Sequence, residues 1–207
     1  LKRPSKIVCV GRNYTEHATE LGNLVPDKPL LFLKPPSALI AGGEEIVLPE
    51  ASSKVEHEGE IGVVVGPELR RVSEEEAERG IGGITCVNDV TARDLQKADG
   101  QWTRAKGFDT FCPMGPRVVS PGRLPALDAL EIICRVNGAE RQHGHAGDMV
   151  FSIPMLLSYI SHIMTLEPGD VVSTGTPSGV GPLVPGDLVE VEIPGVGVLK
   201  NTVISRA

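Results

Sequence analysis

The chain has 207 residues, 41% of them hydrophobic and 23% charged, with a formal net charge of -7. That composition describes an ordinary globular domain with one sizeable core, and the acidic balance excludes a basic surface for nucleic acid or an anionic membrane. Aromatics are scarce at 3% while Gly (24) and Pro (17) are abundant, which favours turns and short strands over long helices.

Residues 6–11 read as a short buried strand closed by Gly11. Asn13 follows as a helix N-cap, with Glu16 three residues later, and this helix is expected to run to about Leu21 before Gly22 stops it. Residues 30–34 form a second strand, closed by Pro35 and Pro36, and residues 57–66 a third. Residues 73–80 have the acidic start and glycine end of a short helix, and a strand at 82–89 comes next. The polar segment 96–107, which holds the single tryptophan Trp102, suits a loop or lid. Strands at 117–120, 130–137, 171–174 and 188–193 and a helix at 152–164 complete the series. Pro-Gly-Asp turns at 168–170 and 185–187 set up the last two strands. The sum predicts a single α+β, β-rich domain over residues 1–207, a rolled or sandwiched sheet with a few short helices.

Cys9, Cys86, Cys112 and Cys134 form no Cys-x-x-Cys pair, and three of them lie in apolar, strand-like surroundings. Buried free thiols and a reducing, cytoplasmic location are therefore expected. The longest apolar stretch, residues 149–164, is broken by Ser152, Pro154, Ser158, Ser161 and His162, which is wrong for a membrane span. No signal peptide is visible, and because Leu1 is not an initiator methionine, upstream residues are expected to have been removed or left out of the numbering.

The chemistry centres on His57-Glu58-Gly59-Glu60, which opens into the apolar run 61–66. Residues two apart on a strand share a face, so Glu58 and Glu60 set two carboxylates side by side. Like charges repel, burial makes this worse, and a hard divalent cation offsets both penalties. Glu56 has the same parity, so the stretch equally describes the solvated end of an edge strand. A metal site needs a third oxygen ligand, and the candidate is Asp89, where the β-branched run 83–90 ends.

His17 and Glu20 share a helix face, where a carboxylate can orient an imidazole as general base; a surface ion pair has the same spacing. Lys106 is a candidate cation for a carboxylate or a developing enolate, and Arg93 and Gln96 are candidates for anion and hydroxyl contacts. The glycine-rich segment 173–182 lacks the Gly-Lys-Ser/Thr ending of a P-loop, so nucleotide binding is rejected. His143 and His145 form a His-x-His pair without a third ligand at a zinc-site spacing and read as a loop feature. No Gly-x-Ser-x-Gly elbow is present, which disfavours a serine hydrolase.

Six motifs in order carry a resemblance over nearly the whole chain: residues 10–14 with His17 and Glu20, residues 31–35, 57–60, 88–94 and 106–109, and residues 174–177 with Gly179-Val180-Gly181. Together they resemble the fumarylacetoacetate hydrolase family. The resemblance implies a mixed β-sandwich roll, a homodimer, and Mg2+ or Mn2+ held by Glu58, Glu60 and Asp89, with Glu56 left out. It also places a base dyad and its lid at His17 and Glu20, a cation at Lys106, and substrate contacts at Arg12, Lys34, Arg93, Gln96 and Thr176. Family members act on small 2-oxo acids and their enols, as acylpyruvate hydrolases, oxaloacetate decarboxylases, and isomerases or decarboxylases of dicarboxylates from aromatic breakdown. The run 106–113 looks most like proteins assigned as 2-hydroxyhepta-2,4-diene-1,7-dioate isomerases. Acylpyruvate hydrolase, oxaloacetate decarboxylase and a non-catalytic metal-binding relative are the alternatives. Two departures stand out: the segment 97–101 is shorter than in some acylpyruvate hydrolases, and His143 and His145 replace other polar residues.

Overall fold

The computed structural model describes residues 3–20, 22 and 24–205; the expected helix end at Leu21 lies outside them. The first part of the chain forms β1 (Ile7–Gly11), α1 (Thr15–Glu20), β2 (Leu30–Lys34), β3 (Leu39–Ile40), β4 (Ile46–Leu48), β5 (Val55–His57) and β6 (Gly59–Val65). The middle forms α2 (Glu74–Arg79), β7 (Ile81–Asn88), β8 (Thr91–Ala92), α3 (Arg93–Asp99), α4 (Thr103–Lys106), β9 (Cys112–Val119), β10 (Glu131–Val136) and β11 (Ala139–His145). The last part forms α5 (Ile153–Ile163), β12 (Val171–Ser173), β13 (Gly181–Pro182), β14 (Leu188–Ile193) and β15 (Gly197–Ser205).

A seven-stranded mixed sheet runs β2-β1-β12-β6-β7-β9-β3, a five-stranded sheet β11-β10-β14-β15-β4, and a small sheet β13-β5-β8. The two larger sheets face each other through β6, β7 and β9 on one side and β10, β14 and β15 on the other. Period-two alternation builds the core between them: Val8 and Val10, Ile61 and Val63, Ile84 and Cys86, and Val189, Val191 and Ile193 all point inward. A smaller cluster of Ile7, Cys9, Val87, Cys112 and Met114 covers the opposite face of the seven-stranded sheet. The helix α5 closes one side, burying Ile153, Leu156, Leu157 and Ile160 at i, i+3, i+4 and i+7 spacing. All four cysteines are buried free thiols, and no helix of the described residues is long and apolar enough to cross a membrane.

The predicted β-rich α+β architecture is what the structure shows, with five local corrections. Asn13 does not cap α1: its fully buried side chain donates to the carbonyls of Thr174 (2.8 Å) and Phe151 (3.1 Å), because tying β1 to distant loops satisfies more buried backbone than a helix end would. The predicted loop at 96–107 is mostly helical, in α3 and α4, and the strand placed at 117–120 begins at Cys112. His143 and His145 lie on β11 rather than in a loop. The strands β11 and β15 have no counterpart among the predicted elements.

Both Pro-Gly-Asp turns use one device. Gly169 and Gly186 each adopt φ +93, and the following aspartate accepts the N–H three residues back, Glu167 to Asp170 and Val184 to Asp187, each at 2.8 Å. Asp170 also accepts from Ser5 Oγ (2.6 Å) and from the N–H groups of Ser5 (3.0 Å) and Lys6 (3.1 Å), and it pairs with the Lys6 ammonium. Asp170→Ala strands these donors and is expected to cost on the order of 3 kcal/mol, or roughly 6–12 °C in Tm. Burial tends to raise the Asp170 pKa, but Lys6 and Ser5 outweigh it and hold it below the ordinary 3.8. The sign follows from linkage: the contribution is complete above the unfolded value and lost as pH falls through the folded one. The Tm gap between wild type and variant should therefore be full at pH 6 and shrink at pH 3.

Candidate active site

The acidic pair sits where the chain switches sheets. The predicted strand at 57–66 is broken at Glu58, between β5 in the small sheet and β6 in the seven-stranded one. Because β6 lies between β12 and β7 and is buried, Glu58 and Glu60 are not the solvated end of an edge strand. Antiparallel pairing of Gly59 with Asn88 carries Asp89 alongside, and the Asp89 N–H donates to the Glu58 carbonyl at 2.9 Å. One carboxylate oxygen from each of Glu58, Glu60 and Asp89 lies within 4.8 Å of the others, and all three residues are buried. Among the described residues no other set of three His, Cys, Asp or Glu side chains meets that criterion.

The cations around this triad are unevenly shared among its acids. Glu56 accepts from Arg93 Nε at 2.7 Å and from Lys54 at 3.1 Å, which occupies it away from the triad. Glu58 pairs with the Arg93 guanidinium and with Lys106 Nζ (2.8 Å); Asp89 receives Lys106 (2.6 Å) and Lys34 (2.6 Å). Among the described residues Glu60 has only neutral donors, Ser173 Oγ at 2.5 Å and the Gly175 N–H at 2.9 Å. Burial, then the charges of Asp89 and Glu58, push the Glu60 pKa well above the usual carboxylate range. Burial acts the same way on Glu58, but Lys106 and Arg93 outweigh it and hold that group ionised. Three buried oxygen donors, one of them without a cation partner among the described residues, fit a hard divalent cation, and the residues present suit no softer ligand set.

A cavity of about 300 Å³ opens over the triad and is lined by Arg12, His17, Arg93, Gln96, Lys106 and Thr176, together with Phe32, Lys97 and Trp102. The structure thus gathers nine of the eleven residues singled out from sequence around one space. Glu20 stands behind His17, its Oε2 3.4 Å from His17 Nδ1, and also accepts the Gly179 N–H at 3.2 Å, fastening α1 to the glycine-rich loop. Lys34, expected as a substrate contact, is not among the residues lining this cavity: fully buried, it donates to Asp89 Oδ1 and to the Val90 carbonyl (3.0 Å) and so holds the Asp89 carboxylate in place. Burial lowers the His17 pKa, with Glu58 raising it and Arg93 lowering it further, so the ring is neutral at pH 7 and can accept a proton. His143 lies on the exposed face of β11, 3.4 Å from Glu131 and 3.5 Å from Glu140, away from this cavity. Gln142, Trp102 and Phe32 were not singled out, since an amide or a lone aromatic carries no spacing signal.

The fold and the site define a β-rich enzyme with a carboxylate triad at the floor of a small polar cavity. Residues 6–204 match the family described as fumarylacetoacetate (FAA) hydrolase C-terminal. The chain is 46% identical over 209 residues to the mitochondrial oxaloacetate tautomerase FAHD1 of Arabidopsis thaliana, covering 99% of this chain and 93% of that one. It is 44% identical over 196 residues to the mitochondrial oxaloacetate decarboxylase of Dictyostelium discoideum, covering 92% and 89%. The crystal structure of 2-hydroxyhepta-2,4-diene-1,7-dioate isomerase from Mycobacterium marinum superposes with a TM-score of 0.91 at 44% identity, covering 99% of this chain and 76% of that one. The chain belongs to the fumarylacetoacetate hydrolase family, whose members are enzymes.

Proposed function

We propose that this protein is a divalent-metal-dependent isomerase of small 2-oxo or enol dicarboxylates from aromatic-compound breakdown, acting by proton transfer next to the 2-oxo group. The observation that carries this reading is Glu60, a buried carboxylate without a cation partner among the described residues, at the floor of a cavity that also presents a neutral imidazole. Glu58, Glu60 and Asp89 would hold Mg2+ or Mn2+, which when bound supplies Lewis-acid stabilisation of negative charge on the 2-oxo oxygen. His17, with Nδ1 toward Glu20, presents Nε2 as the base that takes a proton from one position of the substrate and returns it at another. Lys106 adds a positive charge beside the triad, and Gln96, whose Oε1 accepts from Arg93 at 2.6 Å, keeps its N–H donors for the substrate.

The dicarboxylate preference rests on Arg12 and Lys97. Both line the cavity, and neither has an acidic partner among the described residues, whereas Arg93, Lys34 and Lys106 are engaged. Arg12 also lies over the Trp102 ring, 6.0 Å from its centroid, which holds the guanidinium at the wall. Arg12→Ala is expected to raise KM for a dicarboxylate by roughly 10–100-fold, the loss of a charge-assisted contact, while KM for a monocarboxylate analogue stays within twofold. Equal effects on both would remove the assignment.

A second reading uses the same groups for carbon–carbon cleavage, as acylpyruvate hydrolysis or oxaloacetate decarboxylation; the name of the Dictyostelium relative favours the latter. Purified protein with Mg2+ or Mn2+ should be assayed on 2-hydroxyhepta-2,4-diene-1,7-dioate, oxaloacetate and acylpyruvates with product identification. Rearranged product of unchanged mass supports isomerisation, and release of CO2 or of a cleaved acid supports the second reading. Turnover of none of them would end both. We take the working form to be a cytoplasmic homodimer built from one catalytic domain, and light scattering checks the dimer.

A further inference from the structure

The peptide between the two ligand glutamates is held by a residue that never reaches the cavity. The Gly59 N–H donates to Gln142 Oε1 at 2.9 Å, and the Gly59 carbonyl accepts from Thr176 Oγ at 2.8 Å. Thr176 Oγ in turn accepts from Gln142 Nε2 at 2.7 Å, so one amide controls both polar groups of Gly59. A backbone N–H can only donate, which fixes the orientation of the amide: Oε1 faces Gly59 and Nε2 faces Thr176 and the Pro177 carbonyl (2.8 Å). His57 Nδ1, 3.1 Å from the same Oε1, must then carry the ring proton. Gln142 is buried and makes four hydrogen bonds, the full complement of an amide in this setting.

Glycine at 59 belongs to the same arrangement. A Cβ there would sit 3.0 Å from Cys134 Cβ and 3.5 Å from Gln142 Oε1, so any side chain would press the peptide away from β10 and β11 and lengthen the Gly59–Gln142 bond. The hydroxyl of Thr176 gives its one proton to the Gly59 carbonyl and receives one from Gln142, so it links the amide to the backbone.

We propose that Gln142 is a positioning residue for the cation site, setting the separation of the Glu58 and Glu60 carboxylates by clamping Gly59 directly and through Thr176. This rests on the metal reading given above. Groups that orient metal ligands from behind typically contribute 10–100-fold in metal affinity. Mn2+ titrated into the metal-free protein, followed by calorimetry and by electron paramagnetic resonance of the bound ion, reads the effect without turnover. Gln142→Met keeps size and removes the hydrogen bonds; it should weaken Mn2+ binding at least tenfold and change the spectrum of the bound ion. Thr176→Val should weaken binding in the same way, and Thr176→Ser, which keeps the hydroxyl, should retain wild-type affinity. Affinity within twofold of wild type in folded Gln142→Met would overturn the inference. If that variant does not fold, the threonine pair decides, and wild-type affinity in Thr176→Val overturns it. Wild-type protein that binds no Mn2+ would instead sink the metal reading itself.

Discussion

Glu60→Gln is expected to abolish metal-dependent turnover while leaving the metal-free protein at least as stable as wild type. The wild-type carboxylate is buried against Asp89 and Glu58 and, among the described residues, accepts hydrogen bonds only from Ser173 and Gly175, so ionising it meets burial and repulsion from both neighbours and its pKa is raised. An amide of the same size can keep its oxygen on Ser173 and Gly175 and turn its N–H groups toward the two acids, converting repulsion into hydrogen bonds. The metal-free Tm should therefore be equal to or above that of wild type. A saturating cation stabilises whatever binds it, by about 2.7 kcal/mol at a hundred times Kd, so Mn2+ should raise the wild-type Tm and leave the variant unmoved. Unchanged turnover at limiting Mg2+, or an equal Tm response to Mn2+, would falsify the assignment of Glu60 as a ligand.

Replacing His17 by alanine should slow turnover by roughly 10²–10⁴-fold, the usual contribution of a positioned general base. The base must be neutral to act. With its pKa lowered from 6.5 by burial, His17 should give a rate that climbs with pH below that value and levels off above it. Glu20 raises the His17 pKa through its charge and hydrogen bond, so Glu20→Gln should move the acid limb to lower pH, and His17→Ala should remove it. A near-wild-type rate in His17→Ala takes the residue out of the mechanism, and an acid limb that survives in that variant belongs to another group.

The parts of this protein legible in its sequence are those with a local physical cause. Alternation at period two brings Glu58 and Glu60 to one face whatever the sheet around them, and an acidic first turn with a glycine end marks α2 within a few consecutive residues. The Pro-Gly-Asp turns are equally self-contained, since each aspartate accepts from three residues back. By contrast β11 turns Gln142 and Gly144 inward, residues with no apolar signature, so its alternation is silent until the partners of Gln142 are in place. The helices α3 and α4 escaped because they are short and polar: they carry Arg93, Gln96 and Lys106 to the cavity and contribute little to the core.

Composition, strand parity and turn chemistry thus determined a β-rich chain with two carboxylates side by side, because each depends on neighbours a few residues away. Only the tertiary structure decided that Asp89 joins them, that Glu56 is drawn off by Arg93, and that Lys34 stands behind Asp89. These outcomes depend on which cation reaches which acid across 37 to 55 positions of chain. A charge pattern along a sequence does not specify such pairing; the register of β6 on β7 and the burial of the groups do.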